Sequence, residues 1–213
     1  MKIHLRLLPV FGVVLFLSSV NADAQDKDKK DTKAPNYYPM QAGAQWHFNV
    51  QVGDNSFKAV SKIAKIESID EVPLARLEAY IDGELKATEH LNQTDKGVFR
   101  HRNNGKEITP PICLLKYPIK AGAKWEGDIT VGTETGKYYC EVQDDDVSVP
   151  AGKFKTTRVS IRLESDVKGE KKVVNTKYWF VPNIGFVRQT VDAGDLHIVM
   201  ELEKFEMGKQ PKK

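Results

Sequence analysis

Apolar and polar residues alternate along most of the chain, and turn-forming residues separate the alternating stretches. After Trp46, for example, the apolar residues Phe48 and Val50 alternate with the polar residues His47 and Asn49. Alternation with a period of two residues is typical of a β-strand that buries one face. The pattern therefore predicts an all-β protein, whose strands are joined by short turns and pair with their neighbours in antiparallel fashion.

One segment, 57–69, departs from this alternation, because its apolar residues recur every three positions. That spacing fits neither a strand nor a helix well, so a helix is an alternative here. The corresponding segment of the second half, 137–149, does alternate, with Tyr138 and Cys140 on the same face. We therefore predict a strand at both places.

A nine-residue phrase occurs twice, as Y-P-M-Q-A-G-A-Q-W at 38–46 and as Y-P-I-K-A-G-A-K-W at 117–125. This degree of identity indicates an internal duplication. Proline restricts the backbone before it, glycine permits a sharp turn, and the tryptophan opens a strand. We expect each tryptophan to be a packing residue rather than a ligand-stacking one. The predicted structural anchors are Tyr38, Pro39, Gly43, Trp46, Tyr117, Pro118, Gly122 and Trp125.

The duplication and the composition divide the chain into regions. These are a signal peptide at 1–24, a flexible charged linker at 25–36, β-repeat unit one at 37–111, β-repeat unit two at 112–206 and a polar tail at 207–213. The first region has a basic start, an apolar run and the small-residue site Ala22-Asp23-Ala24, as signal peptides do. Its apolar run is shorter than the ~20 residues of a membrane span. We expect export to the periplasm or the extracellular space, with no transmembrane span in the mature chain.

Each unit should form an antiparallel meander of five to six strands with one apolar face. A single sheet of this kind is not stable alone, so the two apolar faces must cover each other. Two arrangements satisfy this requirement: a sandwich of two sheets, or one curved, barrel-like sheet.

Charge and composition limit the classes of binding partner that we expect. The formal net charge is +3, and Lys and Glu are spread along the predicted strands rather than clustered. A nucleic-acid-binding surface needs a concentrated basic patch, so we expect no nucleic-acid partner. The short basic run Arg100-His101-Arg102 is interpreted as a solvated strand edge rather than as an anion site.

The only two cysteines are Cys113 and Cys140. In an oxidising compartment they could form a disulfide that ties the start of unit two to its second strand. The alternative is a pair of buried free thiols that behave as small apolar residues.

Motifs for catalysis and metal binding are missing from the sequence. No histidine pair has metal-ligand spacing, and the consecutive residues Asp144, Asp145 and Asp146 would diverge in a strand. Nucleophile-elbow, phosphate-loop and dinucleotide-binding patterns do not occur either. We therefore predict no catalytic residue, no cofactor-binding residue and no metal ligand.

The densest aromatic stretch is Tyr178-Trp179-Phe180. Alternation places Tyr178 and Phe180 on one face of a strand and Trp179 on the other. One face should belong to the core, and the other could present an aromatic side chain to a ligand or partner.

Several stretches together resemble a family of uncharacterised, exported bacterial β-proteins whose domains begin with a Tyr-Pro, Gly, Trp phrase. Besides both phrases they are V-P-A-G-K-F at 149–154, Y-W-F-V-P-N-I-G-F-V-R at 178–188 and E-L-E-K-F at 201–205. The resemblance implies an all-β fold and a place in the cell envelope. It implies no activity, cofactor or catalytic residue.

Three hypotheses for function follow. The first is a non-enzymatic binding module for an apolar ligand or an envelope protein. The second is a structural or assembly protein without a small ligand. The third is a hydrolase that uses two carboxylates brought together by the fold.

Overall fold

The computed structural model describes residues 36–167 and 170–208. Their regular structure is twelve β-strands: β1 (Gln45–Val52), β2 (Asn55–Ile69), β3 (Val72–Ile81), β4 (Glu84–Thr94), β5 (Gly97–Asn103), β6 (Lys106–Lys116), β7 (Lys124–Val131), β8 (Glu134–Val149), β9 (Gly152–Val167), β10 (Glu170–Val181), β11 (Gly185–Ala193) and β12 (Leu196–Glu206). The predicted signal peptide, nearly all of the predicted linker and most of the predicted tail lie outside the described residues.

The twelve strands form one closed antiparallel barrel in which each strand pairs with its neighbours in the chain. β1 and β12 close the barrel, pairing from Gln45–Glu206 at one end to Val52–Ile198 at the other. Closure leaves no free sheet edge and gives the inner faces of both predicted units a common core. The all-β prediction and its curved-sheet alternative are confirmed, whereas the sandwich alternative is wrong.

The segment that fitted neither period is the strand β2. The pairing of β2 with β3 shifts register between Ile63 and Lys65. A bulge of this kind moves the following residues to the opposite face. Ile63 pairs with Leu77 and Ile66 pairs with Ala75, so the bulge keeps both isoleucines on one face although they are three positions apart, which explains the irregular apolar spacing.

β6 runs without a break through the predicted boundary between residues 111 and 112. Pro110 and Pro111, at the predicted end of unit one, therefore lie within a strand. The pairing of β6 changes around them, since Ile108 and Thr109 pair with β7 whereas Ile112 pairs with β5. Neither Pro110 nor Pro111 has a ladder partner, so the N–H that proline lacks is not needed there.

The pairing between β6 and β7, which we call the seam, is the shortest between neighbouring strands of the barrel. It contains two residue pairs, Ile108–Val131 and Thr109–Thr130, whereas β7 and β8 pair along the whole of β7. Where the strands separate, the Nε1–H of Trp125 donates a hydrogen bond to the backbone oxygen of Cys113 over 3.0 Å. A side chain thus satisfies a carbonyl that the ladder leaves unpaired.

The two ends of the barrel differ. We call the end with the turns after β1, β3, β5, β7 and β11 the mouth, and the opposite end the base. Aromatic side chains fill the base: the ring centroids of Trp46 lie 5.3 Å from those of Tyr38 and Phe205, and Phe48 stacks on Phe186 at 5.1 Å. The packed base leaves space in the barrel only towards the mouth.

Among the described residues there is no helix with the length and apolar character that crossing a membrane requires.

Candidate ligand cavity

A cavity of about 410 Å³ lies inside the barrel. Its wall is mostly apolar and comes from strands around the whole circumference. Representative apolar lining residues are Leu77, Ala87, Ile112, Leu163, Val191 and Met200. The inward half of each alternating strand produces this wall, because successive side chains point to opposite faces of a sheet.

The cavity opens at the mouth. Lys86, Asn104 and Lys106 line it and are also exposed to solvent. Asn104 lies in the turn between β5 and β6, and Leu196, another lining residue, follows the turn between β11 and β12. A molecule in the cavity would therefore reach solvent at this end.

The floor of the cavity carries a polar cluster formed by Glu89, Arg100 and Tyr178. Arg100 donates from Nε to Glu89 Oε2 over 2.9 Å and from Nη2 to the Tyr178 hydroxyl oxygen over 3.0 Å. The side chain of Arg100 is only 13% exposed. Because β5 and β10 lie on nearly opposite sides of the barrel, the bond between Arg100 and Tyr178 crosses the interior.

Electrostatics keep this cluster in a defined charge state. Burial opposes the charged form of Arg100, but the neighbouring Glu89 and Tyr178 raise the pKa of its guanidinium above the ordinary value. Burial raises the pKa of Tyr178, and it raises the pKa of Tyr38 well above the ordinary value. Arg100 is thus a cation, while both phenols are neutral hydrogen-bonding groups at any physiological pH.

The aromatic stretch 178–180 divides between the two faces of β10, as alternation predicted. Tyr178 and Phe180 line the cavity, and their ring centroids are 5.6 Å apart. Trp179 faces outward but is 7% exposed. Its Nε1 donates to Asp145 Oδ2 over 3.0 Å, and the guanidinium of Arg188 covers its ring at 5.2 Å. Trp179 therefore does not present an open aromatic surface, because charged neighbours cover it.

The two Tyr-Pro phrases occupy equivalent places at the base. In the first, Gly43 N donates to Ile63 O over 2.8 Å and Ile63 N donates to Ala44 O over 2.9 Å. In the second, Gly122 N and Val142 N make the matching bonds to Val142 O and Ala123 O over 2.8 and 3.0 Å. The glycines have φ angles of 85° and 79°, which residues with a side chain rarely adopt.

The surroundings of the phrases differ in spite of these matching bonds. Tyr38, Pro39 and Trp46 are buried, whereas Pro118 is exposed and Trp125 is half-buried. The indole N–H of Trp46 donates to Ile184 O over 2.5 Å. Tyr38 also lines the cavity, so only the first phrase contributes to its wall.

Cys113 and Cys140 are both buried and both free. Cys140 Sγ lies 3.9 Å from the backbone oxygen of Cys113, so the two residues are neighbours although 27 positions apart. Burial raises the pKa of Cys113 to about 11, and it raises that of Cys140 further. Both cysteines are therefore free thiols in the structure, and the disulfide between them stays a prediction.

Metal ligands and histidines do not converge anywhere in residues 36–167 and 170–208, where no group of three or more His, Cys, Asp or Glu could hold an ion. Of the three consecutive aspartates, Asp145 accepts hydrogen bonds at Oδ2 from Arg158 Nη1, over 2.7 Å, and from Trp179 Nε1.

The prediction for the basic run at 100–102 is wrong for its first residue, because Arg100 points into the barrel and is not part of a solvated edge. Sequence reasoning missed Arg100 and Glu89 as cavity residues.

Comparison with known proteins identifies the fold but not the function. No protein family matches the chain, and no curated protein matches it. Three solved structures match the chain. A Bacteroides fragilis protein, named as exported and as having a YmcC-like fold, has a TM-score of 0.51 and 17% identity over 81% of this chain and 100% of its own.

A Parabacteroides distasonis protein named as a lipoprotein has a TM-score of 0.46 and 15% identity over 82% of this chain and all of its own. The lipoprotein YmcC of Escherichia coli has a TM-score of 0.39 and 13% identity over 78% of this chain and 86% of its own. The similarity to the Bacteroides fragilis protein shows that the chain has a YmcC-like fold.

Proposed function

We propose that this is an exported, non-enzymatic binding protein that holds a small, largely apolar molecule inside its barrel. The single observation that carries the proposal is the cavity of about 410 Å³, which is lined mainly by apolar side chains and opens at the mouth. Cavities of about 300–1,000 Å³ with apolar walls and a few polar groups are typical of small-molecule sites. Export is supported by the signal-peptide pattern at 1–24 and by the name of the Bacteroides fragilis protein that shares the fold.

The packing of the barrel favours binding over a purely structural role. Small barrels fill their interior with side chains, and larger ones leave room for a ligand. Here the aromatic residues at the base fill one half, whereas small residues such as Ala79, Ala87 and Ala193 line the cavity towards the mouth. Larger apolar residues at these positions would bury more surface and stabilise the fold, so the retained space is consistent with an occupant.

The cavity also favours binding over hydrolysis by two carboxylates. Among the described residues Glu89 is the one carboxylate in the cavity wall. Arg100 neutralises it through the 2.9 Å contact at Nε. A two-carboxylate mechanism needs a second acid within ~10 Å on the other side of the scissile bond.

The test is a binding titration with the neutral fluorescent probe N-phenyl-1-naphthylamine, which brightens in apolar surroundings. Ala87 lines the cavity near the mouth, so Ala87→Trp should fill part of it. We expect the unmodified protein to bind the probe with a micromolar dissociation constant and Ala87→Trp to weaken binding at least about tenfold, since a filled pocket has no room for the ring.

Thr88→Trp is the matched control, because Thr88 is the next residue of β4 and faces outward, where it pairs with Glu78. It adds the same indole to the same strand without entering the cavity. Equal binding by both tryptophan variants, or no saturable binding by the unmodified protein, would show that the cavity is not a ligand site.

A further inference from the structure

We propose that the ligand of this cavity is an amphiphile with a carboxylate head, bound by Arg100 at the floor, and with an apolar chain directed towards the mouth. The proposal rests on the proposed function and names its ligand class. Its basis is the hydrogen-bonding capacity, the charge and the shape of the cavity floor.

Arg100 has more hydrogen-bond donors than its contacts with Glu89 and Tyr178 use. Arg100 has five N–H groups, of which Nε uses one on Glu89 and Nη2 uses one on Tyr178. Within residues 36–167 and 170–208, no group accepts a hydrogen bond from Nη1. Tyr178 and Tyr38 each carry a hydroxyl that likewise donates to no described residue.

Arg100 lines the cavity, so the N–H groups that Glu89 and Tyr178 do not use are available to a ligand inside it. A ligand carboxylate supplies two acceptor oxygens and can bind a guanidinium in bidentate geometry, which is stronger than a hydrogen bond between neutral groups. An alcohol supplies one neutral acceptor. Glu89 occupies the Nε side of Arg100, so the Nη1 edge is the place for the ligand.

The charges of the wall have the matching sign. Three cationic side chains line the cavity, Lys86, Arg100 and Lys106, against the single carboxylate of Glu89. Glu84 at the mouth pairs with Lys86, which leaves Lys106 as an additional positive charge at the opening. The charges of the described cavity wall therefore favour an anionic ligand group over a cationic one.

The size of the cavity limits the chain. A volume of about 410 Å³ corresponds to roughly fourteen water-sized atoms at ~30 Å³ each. A saturated carboxylate with about ten carbons, decanoate, matches this volume. The apolar wall between Arg100 and the mouth, represented by Val191 and Met200, contacts its chain.

The experiment measures displacement of the neutral probe by decanoate and by decanol, which share the chain and differ in the head. We expect the unmodified protein to bind decanoate at least about tenfold more tightly than decanol, because a charge-assisted pair in a buried site discriminates by more than ~1.4 kcal/mol. The variant carries Arg100→Met together with Glu89→Gln, so that no buried charge is left unpaired.

In this double variant the preference should fall to about twofold or less, while the probe and decanol still bind. Arg102→Met is the control: it removes a cation two positions away that pairs with Asp70 at 3.8 Å on the outer face, and it should keep the preference. Equal binding of decanoate and decanol by the unmodified protein, or a preference that survives in the double variant, would overturn this inference and leave the proposed function standing. Absence of probe binding would instead remove both.

Discussion

At the scale of single residues, the ion pair between Glu89 and Arg100 is the feature that distinguishes this barrel interior from an ordinary apolar core. Most of the inward side chains are hydrocarbon, and these two are charged and largely shielded from solvent. A buried pair is seldom a net source of stability, because desolvation offsets much of the attraction. Its presence inside a cavity therefore supports the proposed recognition of a ligand.

This view predicts a strongly non-additive pair of substitutions. Arg100→Met alone leaves Glu89 buried without its cation and should lower the free energy of unfolding by about 3–5 kcal/mol. The double variant Arg100→Met, Glu89→Gln should recover most of that loss, because neither charge remains. Urea denaturation of the unmodified protein, both single variants and the double variant measures the coupling. Additive losses would mean that the two side chains do not depend on each other.

The role of Arg100 could not be predicted from its local sequence. Register shifts occur in the pairing of β5 with β6 between Val98 and Phe99 and between Arg100 and Arg102. The second shift turns Arg102 to the outer face, although alternation from Arg100 would place it inside, so simple alternation does not tell which arginine enters the barrel. Tyr178, the partner of Arg100, is 78 positions away, and no local pattern indicates that the two meet.

At the scale of elements, strands were predictable where alternation was regular, as in β1, β8 and β12. The continuation of β6 past residue 111 was not predicted, because Pro110 and Pro111 stand at the predicted end of unit one, while the structure places them inside the strand at a point where neither neighbouring strand pairs with it. The choice between barrel and sandwich depends on the pairing of β1 with β12, which lie at opposite ends of the described chain. A contact of that kind leaves no signal in hydrophobic periodicity.

The element-level prediction concerns the seam between β6 and β7. Amides of β7 that point towards β6 should exchange with solvent faster than amides of β1 that point towards β12. The reason is that only two residue pairs join β6 to β7, whereas β1 is paired with β12 along its whole length. Local opening of a joint with few backbone hydrogen bonds costs less than global unfolding. Hydrogen exchange followed residue by residue by NMR measures the difference. Equal protection of the two joints would show that the Trp125 indole and the surrounding packing hold the seam as firmly as a full ladder.

At the scale of the whole molecule, the two Tyr-Pro phrases make matching backbone contacts at two places in the barrel. Each phrase makes the same backbone bonds at the base and leads into a strand, β1 or β7, that begins a run of six strands. This recurrence is what an internal duplication would produce, and the duplication itself stays a prediction. The two phrases differ in their place relative to the cavity, because Tyr38 from the first phrase lines it while Tyr117 does not.

The central claim is that the barrel interior holds a molecule, and native mass spectrometry of the protein purified gently from the cells that make it tests this most directly. We predict a mass above that of the polypeptide, with an adduct of a few hundred daltons at most, because the cavity has room for roughly fourteen water-sized atoms. The adduct should be lost in Ala87→Trp and kept in Thr88→Trp. A bare polypeptide mass in the unmodified protein, or an adduct that Ala87→Trp retains in full, would contradict the account.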